Sequence, residues 1–229
     1  MSKVTKAVIP CAGMGTRFMP ITKAVPKELL PVIDTPVLAY IIDEAVNSGI
    51  TDVLIVTSPQ KECIKKYFTP DSELEDKMLS AGKEDVYNLL KSIYSRANVH
   101  FTYQTQPKGS GDAVYHAKGF TGKEPFCLAW GDDLMVADPP VMGQLISAHE
   151  KTGGTIIGVQ KVLIKSSVPF FIHVPNEAKG VAIVPIRSLG AVTPPSRSIL
   201  SINPARNDAI KTSVMKNFPR KKSRIQILH

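Results

Sequence analysis

The chain has 229 residues, of which 43% are hydrophobic and 21% are charged, and its formal net charge is +8. This composition excludes a largely disordered chain and a coiled coil, and no apolar run approaches the roughly 20 residues that cross a bilayer. The amino terminus lacks the apolar stretch of a signal peptide, and the three cysteines form no C-x-x-C pair, which argues against a disulfide framework or a zinc site. We therefore expect a cytoplasmic protein without membrane spans.

Strand-like and helix-like segments alternate along the first 161 residues. Short apolar runs predict strands at 4–10, 52–57, 99–103, 126–130 and 155–160. Helical spacing of apolar residues predicts helices at 37–45, 72–95, 112–118 and 141–151. The pattern at 72–95 fits two helices or one helix that is broken near Gly82. This alternation is typical of an α/β domain with a mostly parallel sheet.

The positive charge is concentrated after residue 161. Residues 162–229 hold eleven basic and two acidic residues and carry +9, which leaves −1 for residues 1–161. The same segment holds seven prolines and eight serines, and its apolar residues follow no sustained period. Strands are conceivable at 162–164, 170–174 and 181–186. We therefore predict an α/β core at 1–161 and a divergent, poorly ordered basic tail at 162–229.

A glycine-rich loop with the sequence AGMGTR follows the first predicted strand, at 12–17. Gly13 and Gly15 allow backbone N–H groups to approach an anion closely, and Arg17 can donate two parallel hydrogen bonds to a phosphate. The loop lacks the third glycine of a dinucleotide fingerprint and the G-K-[ST] of a P-loop. Taken alone, it is equally well interpreted as a tight turn with a surface arginine.

Two further motifs offer polar groups to a ligand. In PKELLP at 26–31, the flanking prolines restrict the backbone around Lys27, whose ammonium suits a polyphosphate. In QPKGSGDA at 106–113, Gln106 offers an amide to the edge of a base, and its glycines allow a close backbone approach. Each motif alone is more simply interpreted as a surface lysine or as a turn before a helix.

A pair of acidic residues, in the sequence GDD at 131–133, follows the strand predicted at 126–130. Ligands of open α/β sheets bind beyond the carboxyl ends of the strands, and a carboxylate there can hold Mg²⁺ together with phosphate oxygens. Asp132 is therefore a candidate metal ligand. A helix cap or a turn is the simpler interpretation of the pair alone.

The order of these motifs is more specific than any one of them. Strand, GMGTR, PKELLP, QPKGSGDA and WGDD follow one another as in the sugar-1-phosphate nucleotidyltransferases, which the chain resembles from about residue 6 to 160. The stretches ITKAVPKE at 21–28 and SELED at 72–76 resemble the bacterial uridylyltransferase branch more than the thymidylyl or adenylyl branches. The resemblance implies a Rossmann-like, mostly parallel sheet flanked by helices.

The resemblance also implies a reaction between UTP and glucose 1-phosphate with Mg²⁺ as cofactor. A phosphate oxygen of the sugar phosphate would attack the α-phosphorus of UTP in line, forming UDP-glucose and releasing pyrophosphate. With no covalent enzyme intermediate, the protein would act by positioning and charge neutralisation. The expected partners are these two substrates, with neither a membrane nor a nucleic acid.

By similarity, the expected site residues divide into a nucleoside group and a phosphate group. The uracil and its nucleoside would be bound by Ala12, Gly13, Gln106 and Gly111. The phosphates and the metal ion would be bound by Gly15, Thr16, Arg17, Lys27 and Asp132. Within the second group, Arg17 and Lys27 would be catalytic and Asp132 would hold Mg²⁺.

The resemblance ends near residue 162. The family continues with a V-E-K-P-like segment for the sugar phosphate, an acidic D-E-I-Q-L-T-D-like segment for the metal and a C-terminal dimerisation region, and residues 162–229 contain none of these. One explanation is a divergent C-terminal half that keeps the fold by other means. The explanation we favour is a reading frame altered near residue 162, because charge and periodicity change abruptly there. It is wrong if shifting the frame near codon 162 restores no V-E-K-P-like segment.

Two other functions stay open from the sequence. The chain could be an inactive nucleotide-binding remnant, which would bind UTP without turnover. It could also be a nucleic-acid-binding module that uses the basic residues at 220–224, with binding that falls steeply as salt rises. The second is the weaker alternative, because the tail's aromatic residues, Phe170, Phe171 and Phe218, form no evident stacking platform.

Overall fold

The computed structural model of the chain describes residues 3–158 and 181–183. Its strands are β1 (Lys6–Pro10), β2 (Pro31–Val32), β3 (Thr35–Pro36), β4 (Asp52–Thr57), β5 (Asn98–Tyr103), β6 (Phe126–Leu128), β7 (Ile156–Gly158) and β8 (Val181–Ile183). Its α-helices are α1 (Val37–Asn47), α2 (Glu62–Tyr67), α3 (Ser72–Ser80), α4 (Glu84–Tyr94), α5 (Ser110–Tyr115), α6 (Lys118–Thr121) and α7 (Val141–Thr152). Short 3₁₀ helices lie at Thr16–Phe18, Ile21–Lys23, Lys27–Leu29 and Pro59–Lys61.

The main sheet has the strand order β5-β4-β1-β6-β8-β7, and all its strand pairs are parallel. Strands β2 and β3 form a separate antiparallel hairpin. Strands of a parallel sheet are covered on both faces and so appear as continuous apolar runs, which explains why β1 and β4 were recognised from the sequence. The predicted α/β fold with a parallel sheet flanked by helices is confirmed.

The chain reverses its direction of travel across the sheet next to β1. After β1 it forms β4 and β5 on one side, and it then returns to form β6 on the other side of β1. Val8 of β1 is therefore paired with Leu54 of β4 and with Leu128 of β6. Ligands of such sheets bind beyond the carboxyl ends of the strands at this switch point. The loops that follow β1 and β6 lie at that position.

Helices α1 and α7 cover one face of the sheet with a shared apolar core. Leu38 and Ile41 of α1 and Met142 of α7 are fully buried in this core. Glu44 of α1 accepts a hydrogen bond at 3.0 Å from the backbone N–H of Met142 and so caps the first turn of α7. Burial raises the pKa of the Glu44 carboxyl, and this hydrogen bond opposes the rise.

The predicted helices differ from the observed ones mainly in their ends. The pattern at 72–95 forms two helices, α3 and α4, and Gly82 between them has a φ of 67° that favours glycine. The helix predicted at 112–118 is α5, which begins two residues earlier and ends at Tyr115 before the separate helix α6. Helix α2 and the β2–β3 hairpin were not predicted, because six residues and two residues are too short to establish a period.

Strand β8 lies within the strand candidate at 181–186, in the segment that we predicted to be a poorly ordered tail. It lies between β6 and β7, with Val181 paired to Cys127 and to Ile156. The strand candidates at 162–164 and 170–174 and the basic residues at 220–224 lie outside the described residues, so the division of the chain at 161/162 stays a prediction. Within the described residues, none of the helices has the length and apolar character needed to cross a membrane.

Candidate active site

The loop after β1 is folded back on itself at Gly15. Gly15 has a φ of 67°, and its carbonyl accepts a hydrogen bond at 2.9 Å from the Thr22 hydroxyl. A Cβ at this position would lie 3.1 Å from Cγ2 of Thr22, so both the backbone conformation and the space favour glycine. The 3₁₀ helix Thr16–Phe18 starts directly after this turn and carries Arg17 at an exposed position.

Lys27 and Asp132 form an ion pair across the switch point. Lys27 begins the 3₁₀ helix Lys27–Leu29, Asp132 follows β6, and Lys27 Nζ lies 2.7 Å from Oδ2 of Asp132. Lys27 Nζ also lies 4.0 Å from the position that a Cβ on Gly13 would take. The structure therefore brings the predicted phosphate lysine, the predicted metal ligand and the glycine loop together, over 105 positions of sequence.

A second ion pair lies buried beneath the loop. Lys61 Nζ lies 2.9 Å from both carboxylate oxygens of Glu28, and it also donates to the backbone oxygens of Cys11 at 2.7 Å and Gly13 at 2.6 Å. Glu28 is 0% exposed and Lys61 is 8% exposed. The sequence does not indicate this pair, because Glu28 lies in the PKELLP motif without a role of its own and Lys61 lies in none of the motifs.

Two lysines and two carboxylates thus surround the start of the loop, with no net formal charge. Burial raises the pKa of Glu28, and the neighbouring ammonium of Lys61 opposes that rise. The pKa of the Cys11 thiol is raised well above its usual value, first by burial and then by the negative charge of Glu28. Cys11 is therefore a packing residue of the loop rather than a thiolate nucleophile.

The thiol environments lead to a labelling prediction. Cys11 and Cys127 are buried and have raised pKa values, whereas Cys63 is exposed. Because thiolates react and buried thiols do not, a thiol reagent at pH 8 should modify one cysteine of the native chain and all three after denaturation. Mass spectrometry of the labelled chain measures this, and Cys63→Ser should abolish the native-state modification. Rapid modification of Cys11 in the native chain would contradict the buried loop.

Gly131 packs tightly against the start of the loop. Its backbone is buried, and an added Cβ would overlap Cys11 Sγ and would lie 3.2 Å from Cγ of Glu28. No side chain fits at this position without displacing its neighbours. The close approach places Asp132, the next residue, beside Lys27.

Gln106 borders a separate cavity of about 560 Å³. The side chains that line this cavity all come from residues 105–116 and belong to Thr105, Gln106, Lys108, Asp112, Tyr115 and His116. Beneath it, the buried Gln104 amide donates to the Gly109 carbonyl at 3.0 Å and to Asp112 at 2.7 Å. Gln104 thus holds the loop that carries Gln106, a structural role that none of the sequence motifs indicates.

The predicted site residues fall into two clusters and two exposed residues. The first cluster combines Gly13, Gly15, Lys27 and Asp132, with Ala12 half-buried in the same loop. The second combines Gln106 with Gly111, which lies in the first turn of α5 and has open space around it. Thr16 and Arg17 are exposed beside the first cluster. Both clusters follow strand ends at the carboxyl edge of the sheet.

Comparison with known proteins identifies the family. The sequence profile of the nucleotidyl transferase family matches residues 6–167. The chain belongs to the nucleotidyl transferase family. The match begins at β1 and ends close to the point where the predicted resemblance ends, so the prediction of this family is confirmed. The remainder of the chain lies outside the match.

Several relatives of the chain are named UTP–glucose-1-phosphate uridylyltransferase. This nucleotidyl transferase is 47% identical over 162 residues to UTP–glucose-1-phosphate uridylyltransferase of Bacillus subtilis, and the alignment covers 71% of this chain and 56% of the relative. The enzyme of the same name from Mycoplasma pneumoniae is 44% identical with the same coverage. The chain thus spans slightly more than half the length of the curated relatives that it matches.

Solved structures of the family agree with this fold. A UTP-bound UGPase from Acinetobacter baumannii is 32% identical with a TM-score of 0.65, over 69% of this chain and 57% of that chain. A UDP-glucose pyrophosphorylase complexed with UDP-glucose is 32% identical with a TM-score of 0.56, over 67% of this chain and 56% of that chain. The fold predicted for the first part of the chain is that of these proteins.

Proposed function

We propose that the chain carries the nucleotide-binding part of a UTP–glucose-1-phosphate uridylyltransferase, which converts UTP and glucose 1-phosphate into UDP-glucose and pyrophosphate. The observation that supports this most is the Lys27–Asp132 pair beside the glycine loop, at the switch point of the sheet. It joins a cation for phosphates, a carboxylate for a metal ion and a loop without side-chain obstruction. The names of the relatives supply the substrates.

The residues expected to bind the phosphates would act by positioning UTP and by neutralising its charge. Lys27 is 19% exposed and leaves its ammonium at the mouth of the loop, where it would bridge phosphate oxygens of UTP. Gly15 and Thr16 would offer backbone N–H groups, and the exposed Arg17 would neutralise the departing pyrophosphate. Direct attack by the sugar phosphate needs the α-phosphorus held in line, and these groups would help to hold it there.

Asp132 is the residue that would hold Mg²⁺. Its carboxylate is 36% exposed and already pairs with a cation, so it fits an ion that arrives with the nucleotide. Within residues 3–158 and 181–183, no three His, Cys, Asp or Glu side chains are grouped as a complete metal site. Phosphate oxygens and water would therefore complete the coordination, and the bound ion would supply Lewis-acid stabilisation of the phosphate charge.

The nucleoside would lie between the two clusters. Ala12 and Gly13 would contact the uracil through backbone groups, Gln106 would hydrogen-bond its edge and Gly111 would permit a close approach of the nucleoside. Support for this comes from the exposed position of Gln106 on its cavity and from the open space at Gly111. We place the enzyme in the cytoplasm, where its unpaired cysteines would persist.

The family match ends at residue 167, and this favours one alternative, a remnant that binds UTP without turnover. About 56% of the Bacillus subtilis enzyme is matched. The sugar-phosphate ligands and the dimerisation region of the family would belong to the remainder, and residues 162–229 would be a divergent basic tail in their place. An assay of pyrophosphate release with UTP, glucose 1-phosphate and Mg²⁺ distinguishes the active enzyme from the remnant. The remnant would bind UTP but release no pyrophosphate.

The proposed role of Asp132 predicts that its replacement affects UTP affinity differently with and without Mg²⁺. With Mg²⁺ present, Asp132→Asn should lose most of the gain in UTP affinity that the metal ion gives. In EDTA the same variant should bind UTP at least as tightly as the unmodified chain, because a negative charge near the phosphates is removed and Lys27 is released. Calorimetric titration of UTP under both conditions measures this.

The matched control for that titration is Asp76→Asn, an exposed carboxylate on α3 that should leave both affinities unchanged. An undiminished effect of Mg²⁺ in Asp132→Asn would contradict the metal role of Asp132. An unmodified chain that binds no UTP under either condition would contradict the proposed function as a whole.

A further inference from the structure

The buried Lys61–Glu28 pair has more acceptors than a simple ion pair needs. The ammonium has three protons, and four oxygens surround it at 2.6 to 2.9 Å. Two of these are the carboxylate oxygens of Glu28, and the other two are the backbone oxygens of Cys11 and Gly13. One buried cation thus holds two alternate peptide groups of the loop after β1.

The direction of each of these two carbonyl groups also fixes the direction of the N–H group that follows it. In a trans peptide the C=O and the following N–H point in opposite directions. The peptides that begin at Cys11 and Gly13 carry the N–H groups of Ala12 and Met14. With their oxygens directed at buried Lys61, these two N–H groups are directed away from the interior, on the side where Gly13 and Met14 are exposed.

Glu28 connects the same cation to the phosphate lysine. It lies in the 3₁₀ helix Lys27–Leu29, and its carboxylate is completely buried, so its contact with Lys61 anchors the turn from which Lys27 extends. Stability alone does not explain such a pair, since apolar side chains of similar volume replace buried ion pairs with little or no loss. The two backbone contacts are what an apolar replacement would lack.

We propose that Lys61 is a positioning residue for nucleotide binding. Through Cys11 and Gly13 it directs the amide groups of Ala12 and Met14 toward the nucleotide, and through Glu28 it fixes the base of Lys27. This inference rests on the proposed function, because it assigns the two amides to UTP. It gives a role to Lys61, which lies in none of the sequence motifs described above.

The test uses the full chain and a double replacement. Lys61→Met alone leaves Glu28 as an unpaired buried charge and is expected to unfold the chain. Lys61→Met/Glu28→Leu removes both charges, so the chain should stay folded, with a lower melting temperature because the carbonyls of Cys11 and Gly13 lose their donor. Its affinity for UTP should fall roughly 10- to 100-fold, as expected when two amide donors lose their orientation.

The control is Lys6→Met/Glu124→Leu, which removes a more exposed ion pair. Lys6 lies at the opposite end of β1, pairs with Glu124 at 3.0 Å and also donates to a backbone oxygen, that of Phe120. This control should leave UTP affinity unchanged. The conservative Lys61→Arg, which keeps a cation able to donate to carbonyl oxygens, should bind UTP more tightly than Lys61→Met/Glu28→Leu.

A second measurement does not depend on the nucleotide. Without UTP, the backbone amide NMR signals of residues 12–14 should shift in Lys61→Met/Glu28→Leu, whereas those of β7 should not. Unchanged signals of residues 12–14 together with UTP affinity within twofold of the original would overturn the proposal.

The proposal would also be overturned if Lys61→Met/Glu28→Leu unfolds while the Lys6→Met/Glu124→Leu chain stays folded. The Lys61–Glu28 pair would then be structural. If the unmodified chain binds no UTP, the proposed function fails. The amide signals of residues 12–14 then decide whether Lys61 orients the loop.

Discussion

Gly131→Ala is expected to lower the free energy of unfolding by about 3 kcal/mol, the upper part of the range for overpacking a core. An added Cβ overlaps Cys11 Sγ and lies within 3.4 Å of Cγ2 of Ile9, and Cys11 is buried too deeply to move aside. For a chain of this size that loss corresponds to a fall in melting temperature of roughly 6 to 12 °C. Thermal and urea unfolding measure it.

Two further variants test the physical cause. Gly143→Ala in α7 places a Cβ 3.5 Å from Oγ of Ser48, an ordinary contact, and should be neutral or slightly stabilising because alanine favours a helix. Cys11→Ala removes the sulfur atom that the new Cβ overlaps, so Gly131→Ala/Cys11→Ala should lose less than the sum of its single variants. Strict additivity would show that the overlap with Cys11 is not the cause.

Lys27→Met should raise the dissociation constant of UTP roughly 10- to 100-fold, the value of one charge-assisted hydrogen bond to phosphate. Stability should change little, because the pair with Asp132 is partly exposed and such pairs contribute at most about 1 kcal/mol. Titration calorimetry with UTP at fixed salt measures the affinity, and thermal unfolding checks the fold.

Lys23→Met is the matched control for Lys27. Lys23 lies on the neighbouring 3₁₀ helix Ile21–Lys23, is exposed and carries the same charge. Its replacement should change UTP affinity less than twofold. An equal loss in both variants would mean that UTP responds to the general positive charge of the segment and not to an ammonium at one position.

The parts of the fold that the sequence predicted have a period long enough to be seen. Strands β1 and β4 are continuous apolar runs, and α1 and α7 repeat apolar residues along one face. The short helix α2 and the four 3₁₀ helices have no room for a period, and tertiary contacts determine them. Strand β8 lies within the strand candidate at 181–186, and its neighbours β6 and β7 show where that apolar run joins the sheet.

Candidate residues of the site could be named from the sequence where neighbouring residues carry the chemistry, as in the glycine loop and the GDD turn. Lys61 could not be named, because its acceptors lie 33 to 50 positions upstream and a lysine after a strand is usually solvated. The pairing of Lys27 with Asp132 spans 105 positions and depends on the strand order. Local patterns thus indicate which residue types are available, whereas the topology of the sheet decides which of them meet.

The position of β8 has a consequence for shortened forms of the chain. In the described part of the sheet, β7 is attached through β8, and β8 in turn pairs with β6. A chain cut after residue 161 would leave β6 with an unpaired edge of N–H and C=O groups next to the site loop that ends in Asp132. Such open edges recruit strands from other molecules, so the shortened chain should self-associate through β6, which has lost its partner β8.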